Sequence, residues 1–272
     1  MRITCLSENT SLKGLPTEHG LSLHIAPQQG SPLLFDMGQS DLFTHNAAQL
    51  GIDLQDVAHA IISHGHYDHG GGLPHFLKMN QKAKVWVQTK AFEPHYSIRG
   101  ENIHFIGLNP EFSNHPQIAT NPNTTSVALN HWLFTCPEPH RFKALGRLRM
   151  KGPTVSTTDN FEHEQSLLIQ ENDNFVLFAG CAHTGLMNII QQAKAICGHT
   201  PTHVFAGMHL TKSELTPSEQ NEYLRYLAQL ISQYQNMQIW TMHCTGIENF
   251  NILKTLLGDQ IHYLSCGDEV VV

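Results

Sequence analysis

The segment Ser63-His64-Gly65-His66-Tyr67-Asp68-His69 sets three imidazoles and a carboxylate within six residues, directly after the apolar run Ala58-His59-Ala60-Ile61-Ile62. Those donors are metal ligands. Imidazole nitrogen together with carboxylate oxygen suits zinc, iron or manganese, whereas calcium and magnesium prefer shells made of oxygen alone. The apolar run predicts a short buried strand. Side chains alternate along an extended segment, so His64 and His66 face the same way and can share one ion. Asp68 and His69 lie beyond the strand, and the glycines Gly70, Gly71 and Gly72 allow a tight turn that swings both towards a second ion.

Three later strands end in the same manner. Phe175 to Ala179 runs into Gly180-Cys181-Ala182-His183-Thr184-Gly185, His203 to Ala206 into Gly207-Met208-His209-Leu210, and Ile239 to Met242 into His243-Cys244-Thr245-Gly246. In layered α/β proteins sites form at the carboxyl ends of strands, where loops converge and helix N-termini face a ligand. His183, His209 and His243 are therefore candidates for that edge, with Cys181 and Cys244 close beside them. Asp36, in Leu34-Phe35-Asp36-Met37-Gly38, also follows an apolar strand. It is placed either to fix the tautomer of a ligand histidine or to cap the following turn.

The elements that must carry these residues are legible in the apolar pattern. Strands are expected at Arg2 to Leu6, Leu21 to Ala26 and Pro32 to Phe35, a helix at Asp41 to Leu50, another from Gly72 to about Asn80, and a strand at Lys84 to Gln88. From Thr89 to about Asn160 the chain turns rich in Pro, Asn and His, and this stretch is expected to be an insertion within one domain covering 1–272. Regularity returns with strands at Gln165 to Gln170 and Phe175 to Ala179, a helix at Leu186 to Cys197 and a strand at His203 to Ala206. A helix from Pro217 to about Gln233 follows, with Thr216 and Glu219 spaced as a capping box. A strand at Gln238 to Met242, a helix at Ile247 to Leu257 and two terminal strands complete a layered α/β domain.

Composition narrows the function classes. The formal charge of −7 argues against a nucleic-acid partner. No apolar run approaches a membrane span and the first residues lack a signal-peptide core, so a cytoplasmic protein with no membrane partner is expected. The six cysteines are widely spaced with no CxxC pair, which excludes a disulfide framework or a zinc ribbon.

His64-x-His66-x-Asp68-His69, with Asp36-x-Gly38 upstream and strand-end histidines downstream, resembles the metallo-β-lactamase superfamily over most of the chain. Glu18-His19-Gly20-Leu21-Ser22, His163-Glu164-Gln165-Ser166-Leu167 and the segments around Cys181, His209 and His243 are similar to one subgroup, related to the dihydropterin–ribofuranosylaminobenzene phosphate synthase of methanopterin biosynthesis. The resemblance implies a four-layer αββα sandwich with a dinuclear site at one edge. It implies His64 and His66 on the first ion, Asp68 and His69 on the second, and His243 completing the second. Many family members bridge the ions with an Asp where this chain has Cys181-Ala182-His183. His183 is the favoured ligand there, Cys181 thiolate competes with it, and His163 is an alternative third histidine for the first ion. Loss of a bridging carboxylate leaves one ion as well as two open, zinc being favoured over manganese and iron.

The expected activity is hydrolysis of a phosphorylated or other anionic small molecule by a metal-activated water, which Asp68 ligates and orients. A pterin-transferring synthase uses the same ligands, and a non-enzymatic metal-bound sensor is the third reading. For the substrate anion the candidates are His209 and the basic run Arg141, Lys143, Arg147, Arg149 and Lys151, of which Arg147 and Arg149 are singled out.

Overall fold

A computed structural model describes residues 1–121, 123–136, 148–150, 157–211 and 215–272, with Arg149 and Thr157 described by backbone alone. Two seven-stranded sheets face one another. The first runs in the order Glu269–Val271, Arg2–Ser7, Ser22–Ala26, Leu33–Phe35, His59–Ile61, Lys84–Gln88 and Ile118–Asn121. The second runs Ile261–Tyr263, Gln238–Thr241, His203–Ala206, Asn174–Ala179, Ser166–Glu171, His131–Phe134 and Thr125–Ala128.

Period-two alternation assigns each strand residue to a layer. Leu33, Phe35, Leu167, Ile169, Val176 and Phe178 point into the space between the sheets. Their neighbours Leu34, Leu168 and Leu177 point outward and are covered by helices. On one outer face Phe43, Ala47, Leu73, Phe76 and Leu77 of the Leu42–Gln49 and Leu73–Met79 helices close the core. On the other, Leu186, Ile189, Ile190 and Ala193 of the Leu186–Cys197 helix recur at helical spacing and seal it with Leu224, Leu227, Ala228 and Leu253. The result is the αββα sandwich. Thr216 and Glu219 form the expected capping box at the start of the Pro217–Ile231 helix.

The 89–160 stretch supplies strands to all three sheets found among the described residues. Ile118–Asn121 extends the first sheet, Thr125–Ala128 and His131–Phe134 extend the second, and a smaller sheet is ordered Thr157–Thr158, Leu148–Met150, His95–Arg99, Asn102–Phe105. That small sheet stands over the end of the sandwich, tied to it where the Tyr67 amide donates to the Ile106 carbonyl at 2.9 Å and where His66 bridges Gly107. Among the described residues, no helix is long and apolar enough to cross a membrane.

Candidate metal centre

The strand Leu33–Phe35 is parallel to His59–Ile61, and Asn174–Ala179, His203–Ala206 and Gln238–Thr241 are mutually parallel. Asp36, the His64 segment, Cys181, His183, His209 and His243 all follow the carboxyl ends of these strands, so two sheets deliver them to one edge. Asp68 and His69 sit in a single helical turn, Tyr67–Gly70. Close packing decides Gly65: a β-carbon there would collide with the Ala91 carbonyl and the His95 ring. Of the seven described non-glycine residues with positive φ, five are at this edge: Asp36, Phe161, Ala182, His209 and His243. Backbone strain of this kind persists where surrounding structure over-determines it, and it concentrates at functional sites.

Hydrogen bonds set which ring nitrogens are free. Asp36 is fully buried and accepts from the Ser63 amide at 2.7 Å, the Ser63 hydroxyl at 2.8 Å and His69 Nδ1 at 2.6 Å. The single Ser63 hydroxyl proton goes to the carboxylate, so Ser63 Oγ accepts from His64 Nδ1–H at 2.8 Å. The lone pair of His64 is then on Nε2, and that of neutral His69 is also on Nε2. Asp36 thus fixes tautomers, as the sequence allowed, and the turn-capping alternative is set aside.

His64, His66 and His183 present ring nitrogens within 4.8 Å of one another, and all three side chains are buried. His64 Nε2, His66 Nε2 and both nitrogens of His183 have no hydrogen-bond partner. A buried orphan costs about 1–3 kcal/mol, and a cation bound between the three removes that cost. Burial, followed by the neighbouring imidazoles, holds all three well below the usual histidine range, so they are neutral lone-pair donors at pH 7. Phe161 stacks on the His183 ring at 4.5 Å with planes 2° apart.

A second group lies beside the first. His69 Nε2 is 3.1 Å from Cys181 Sγ, and Asp68 Oδ2 is 3.4 Å from His243 Nε2. Burial works against charge on His69, but Asp36 and then Asp68 prevail and raise it to about 9. Burial also opposes ionisation of Asp68, yet the hydrogen bond from His19 and the neighbouring imidazoles of His243 and His69 hold it well below the usual carboxylate range. Burial pushes the Cys181 thiol up. Asn9 Oδ1 accepts from His243 Nδ1 at 2.8 Å, leaving Nε2 free for the site, and Glu8 Oε1 accepts from the His243 amide at 2.6 Å and the Tyr263 hydroxyl at 2.8 Å.

Cys181 and His183, treated in the sequence as rivals for one position, both reach the site: Cys181 lies beside His69, and with His183 and His209 it forms a further group whose ligand atoms are within 4.8 Å of one another. Ala182 between them has φ +52°. His163, the alternative third histidine, lies with His66, His95 and Asp159 in a buried group whose ligand atoms are within 4.8 Å of one another. Its Nδ1 accepts from the Gly65 amide at 2.9 Å, so its proton is on Nε2, which faces Asp159 Oδ2 at 3.1 Å. With these bonds both ring nitrogens are occupied, so His163 would have to give up its Nε2 proton before joining an ion. It also belongs to a buried clasp. Asp159 Oδ1 accepts from the Phe161 amide, Glu164 accepts from the amides of His183 and Thr184 at 2.7 and 2.8 Å, and the Gln165 amide donates to Ser63 at 2.8 Å. One short segment therefore holds both the His64 loop and His183.

A cleft of about 300 Å³ opens over the groups, with His66, Asp68, Cys181, His183 and His243 on its floor. His209 lines it 4.3 Å from the His183 ring, with a buried Nδ1 that has no partner. Arg149 is in the Leu148–Met150 strand of the small sheet, opposite Tyr96; Arg141, Lys143, Arg147 and Lys151 lie outside the described residues. Sequence reasoning gave no role to Glu8, Asn9, Asp159 or Phe161, and quoted His19 without one. Glu8 and Asn9 directly follow the Arg2–Ser7 strand, so the strand-end rule already pointed to them.

The sequence pattern of the family described as the metallo-beta-lactamase superfamily matches residues 20–207. The chain is 23% identical, over 92% of its length and 89% of the relative's, to a 7,8-dihydropterin-6-methyl-4-(beta-D-ribofuranosyl)-aminobenzene-5'-phosphate synthase of Methanocaldococcus jannaschii. It is similar to the crystal structure of Tm1679, named as a metal-dependent hydrolase of the beta-lactamase superfamily, with TM-score 0.84, 27% identity, and coverage of 100% of this chain and 99% of that one. The metallo-beta-lactamase fold protein YhfI of Bacillus subtilis shares the fold at TM-score 0.56 and 10% identity, covering 99% and 98% of the two chains.

Proposed function

This chain belongs to the metallo-beta-lactamase superfamily, and from that premise we propose that it is a metal-dependent hydrolase acting on a small anionic molecule. One observation carries the reading: buried, partnerless imidazole nitrogens of His64, His66 and His183 converge beneath an open cleft. In this reading His64, His66 and His183 hold a first ion, and Asp68, His69 and His243 a second, with Cys181 close to His69. Mixed nitrogen, oxygen and sulfur donors favour zinc. When bound, such ions acidify coordinated water and polarise an anionic oxygen.

The chain's own groups supply orientation. Asp68 is held by His19, whose Nε2 lies 3.2 Å from Asp68 Oδ2, so its carboxylate keeps one position beneath the substrate. His209, free at Nδ1, faces the substrate anion from the opposite side. Arg147 and Arg149 remain proposed partners for that anion. Four of the six free cysteines are buried, in keeping with a reducing, cytoplasmic setting.

The second reading, a pterin-transferring synthase, is favoured by the Methanocaldococcus jannaschii relative, whose alignment spans nearly the whole chain. It uses the same ligands but requires water to be kept from the reacting centre. Metal content of purified protein, measured together with turnover of phosphomonoesters, phosphodiesters, lactones and a dihydropterin diphosphate, separates the readings. Turnover should vanish in His66→Ala and return to chelator-treated wild type on adding metal. Metal-loaded protein that turns over nothing in the panel counts against an enzyme and for a sensor.

A further inference from the structure

The candidate metal ligands line only part of the cleft. The other wall is built by the small sheet, which contributes Ser97, Ile98, Arg99, Ile106 and Leu148. Ser97 and Arg99 are two residues apart on the His95–Arg99 strand, hence on one face of it. Ser97 is 9% exposed and its hydroxyl has no hydrogen-bond partner. Arg99 is exposed, and among the described residues no carboxylate lies within ion-pair reach of it. A cleft-lining hydroxyl without a partner, beside an unpaired guanidinium, is the donor set that recognises a carboxylate or phosphate: the guanidinium gives two parallel N–H bonds and the hydroxyl a third. Ile106 and Leu148 offer only apolar contact.

We propose that Ser97 and Arg99 form a second anion subsite, so that the ligand of this cleft is two-ended. One end is an oxyanion at the metal floor, the middle is an apolar ring or short chain against Ile106 and Leu148, and the far end is a second acidic group on Ser97 and Arg99. The wall keeps a set position relative to the floor. Leu148 is in register with Ser97, Ile106 receives the Tyr67 amide, and His66 itself bridges Gly107. Spacing between the two ends is therefore a property of the folded chain, and it selects among ligands by length and by the angle between their acidic groups. The far end is metal-independent; only the near end rests on the hydrolase reading.

The test uses zinc-loaded full-length protein and titration calorimetry with phenyl phosphate, the three carboxyphenyl phosphate isomers and the three phenylene bisphosphates. At least one isomer of one series should bind roughly tenfold tighter than phenyl phosphate, and the series in which it falls tells a carboxylate from a phosphate. Arg99→Met should bring that ratio of affinities close to one, and Ser97→Ala should lower it by a smaller factor. Arg99 is exposed at the mouth of the cleft, so the methionine variant keeps the fold, which retained zinc content verifies. No gain for any isomer, or a gain that survives Arg99→Met, overturns the subsite. Equal binding of phenyl phosphate with and without zinc overturns the metal anchor instead, and the subsite is then judged by the Arg99→Met ratio alone.

Discussion

Asp36 Oδ2 lies 2.6 Å from His69 Nδ1, and the same oxygen takes the Ser63 hydroxyl proton, obliging Ser63 Oγ to accept from His64. One buried carboxylate thereby sets the tautomers of two histidines proposed for two different ions. Partners of this kind orient ligands and raise their basicity.

Asp36→Asn should weaken both ions, by about 10–100-fold each, because an amide presents donor hydrogens where His69 and Ser63 need an acceptor. Ser63→Ala should weaken only the ion held by His64. Competition with a chromophoric chelator reads both constants, and identical profiles for the two variants would contradict the branching at Ser63.

The clasp makes a separate prediction. In Asp159→Asn the acceptor facing His163 Nε2–H is partly lost, the opposite tautomer becomes accessible, and His163 Nδ1–H then opposes the Gly65 amide. We expect roughly tenfold weaker binding of the first ion, with a stability loss of about 1–3 kcal/mol. Cobalt substitution gives the check through a changed absorption spectrum of the first site. A lowered Tm with an unchanged spectrum and affinity would leave Asp159 a structural residue only.

Metal uptake should depend on pH differently at the two groups. His64, His66 and His183 are held below the ordinary range and carry no proton at neutral pH, whereas His69, raised to about 9, must lose one before Nε2 can coordinate. Bound metal should therefore rise from about one ion towards two as pH climbs from about 7 through 9. For the metal-free fold the signs are opposite. His69 adds stability that is complete below its unfolded value of about 6.5 and is lost as pH rises through about 9. The three depressed histidines take protons more readily when unfolded, so they subtract stability as pH falls below about 6.5, by up to about 1.4 kcal/mol per group and pH unit. Urea denaturation of chelator-treated protein across this range should show a maximum between the two limits.

Much of this was readable from the chain, and the parts that were not have physical causes. Alternation of Leu33 and Phe35 against Leu34 reports which face of a strand is buried, and the same rule puts His64 and His66 together. It does not reach Cys181 and His183, since Ala182 at φ +52° departs from the extended geometry on which the rule depends. Nor does residue type tell which ring nitrogen of His163 carries the proton. The small sheet was obscure for another reason. All four residues of Asn102–Phe105 are exposed, and Ser97 pairs with Leu148 about fifty residues away, so neither burial nor local pattern marks these strands.

A core substitution should separate fold from site. Phe178 lies fully buried between the sheets, 5.2 Å from the Phe205 ring and 6.0 Å from Phe35. Phe178→Ala should cost about 3–5 kcal/mol in urea denaturation, yet leave the metal stoichiometry intact in the folded fraction. Loss of metal without loss of stability would show that the core and the edge are coupled more tightly than their layering implies.

The two walls of the cleft come from different stretches of chain. Floor residues are borne on strand ends of the sandwich, where a shift in any of them disturbs tautomers, packing and backbone strain together. Ile98, Arg99 and Leu148 stand on a marginal sheet whose outer strand is exposed, and their replacement touches none of those constraints. Chemistry and preference are thus mutationally independent. Ligand preference should therefore shift with substitutions along that one wall while the strand-end residues stay as they are, and directed libraries at those three positions test it.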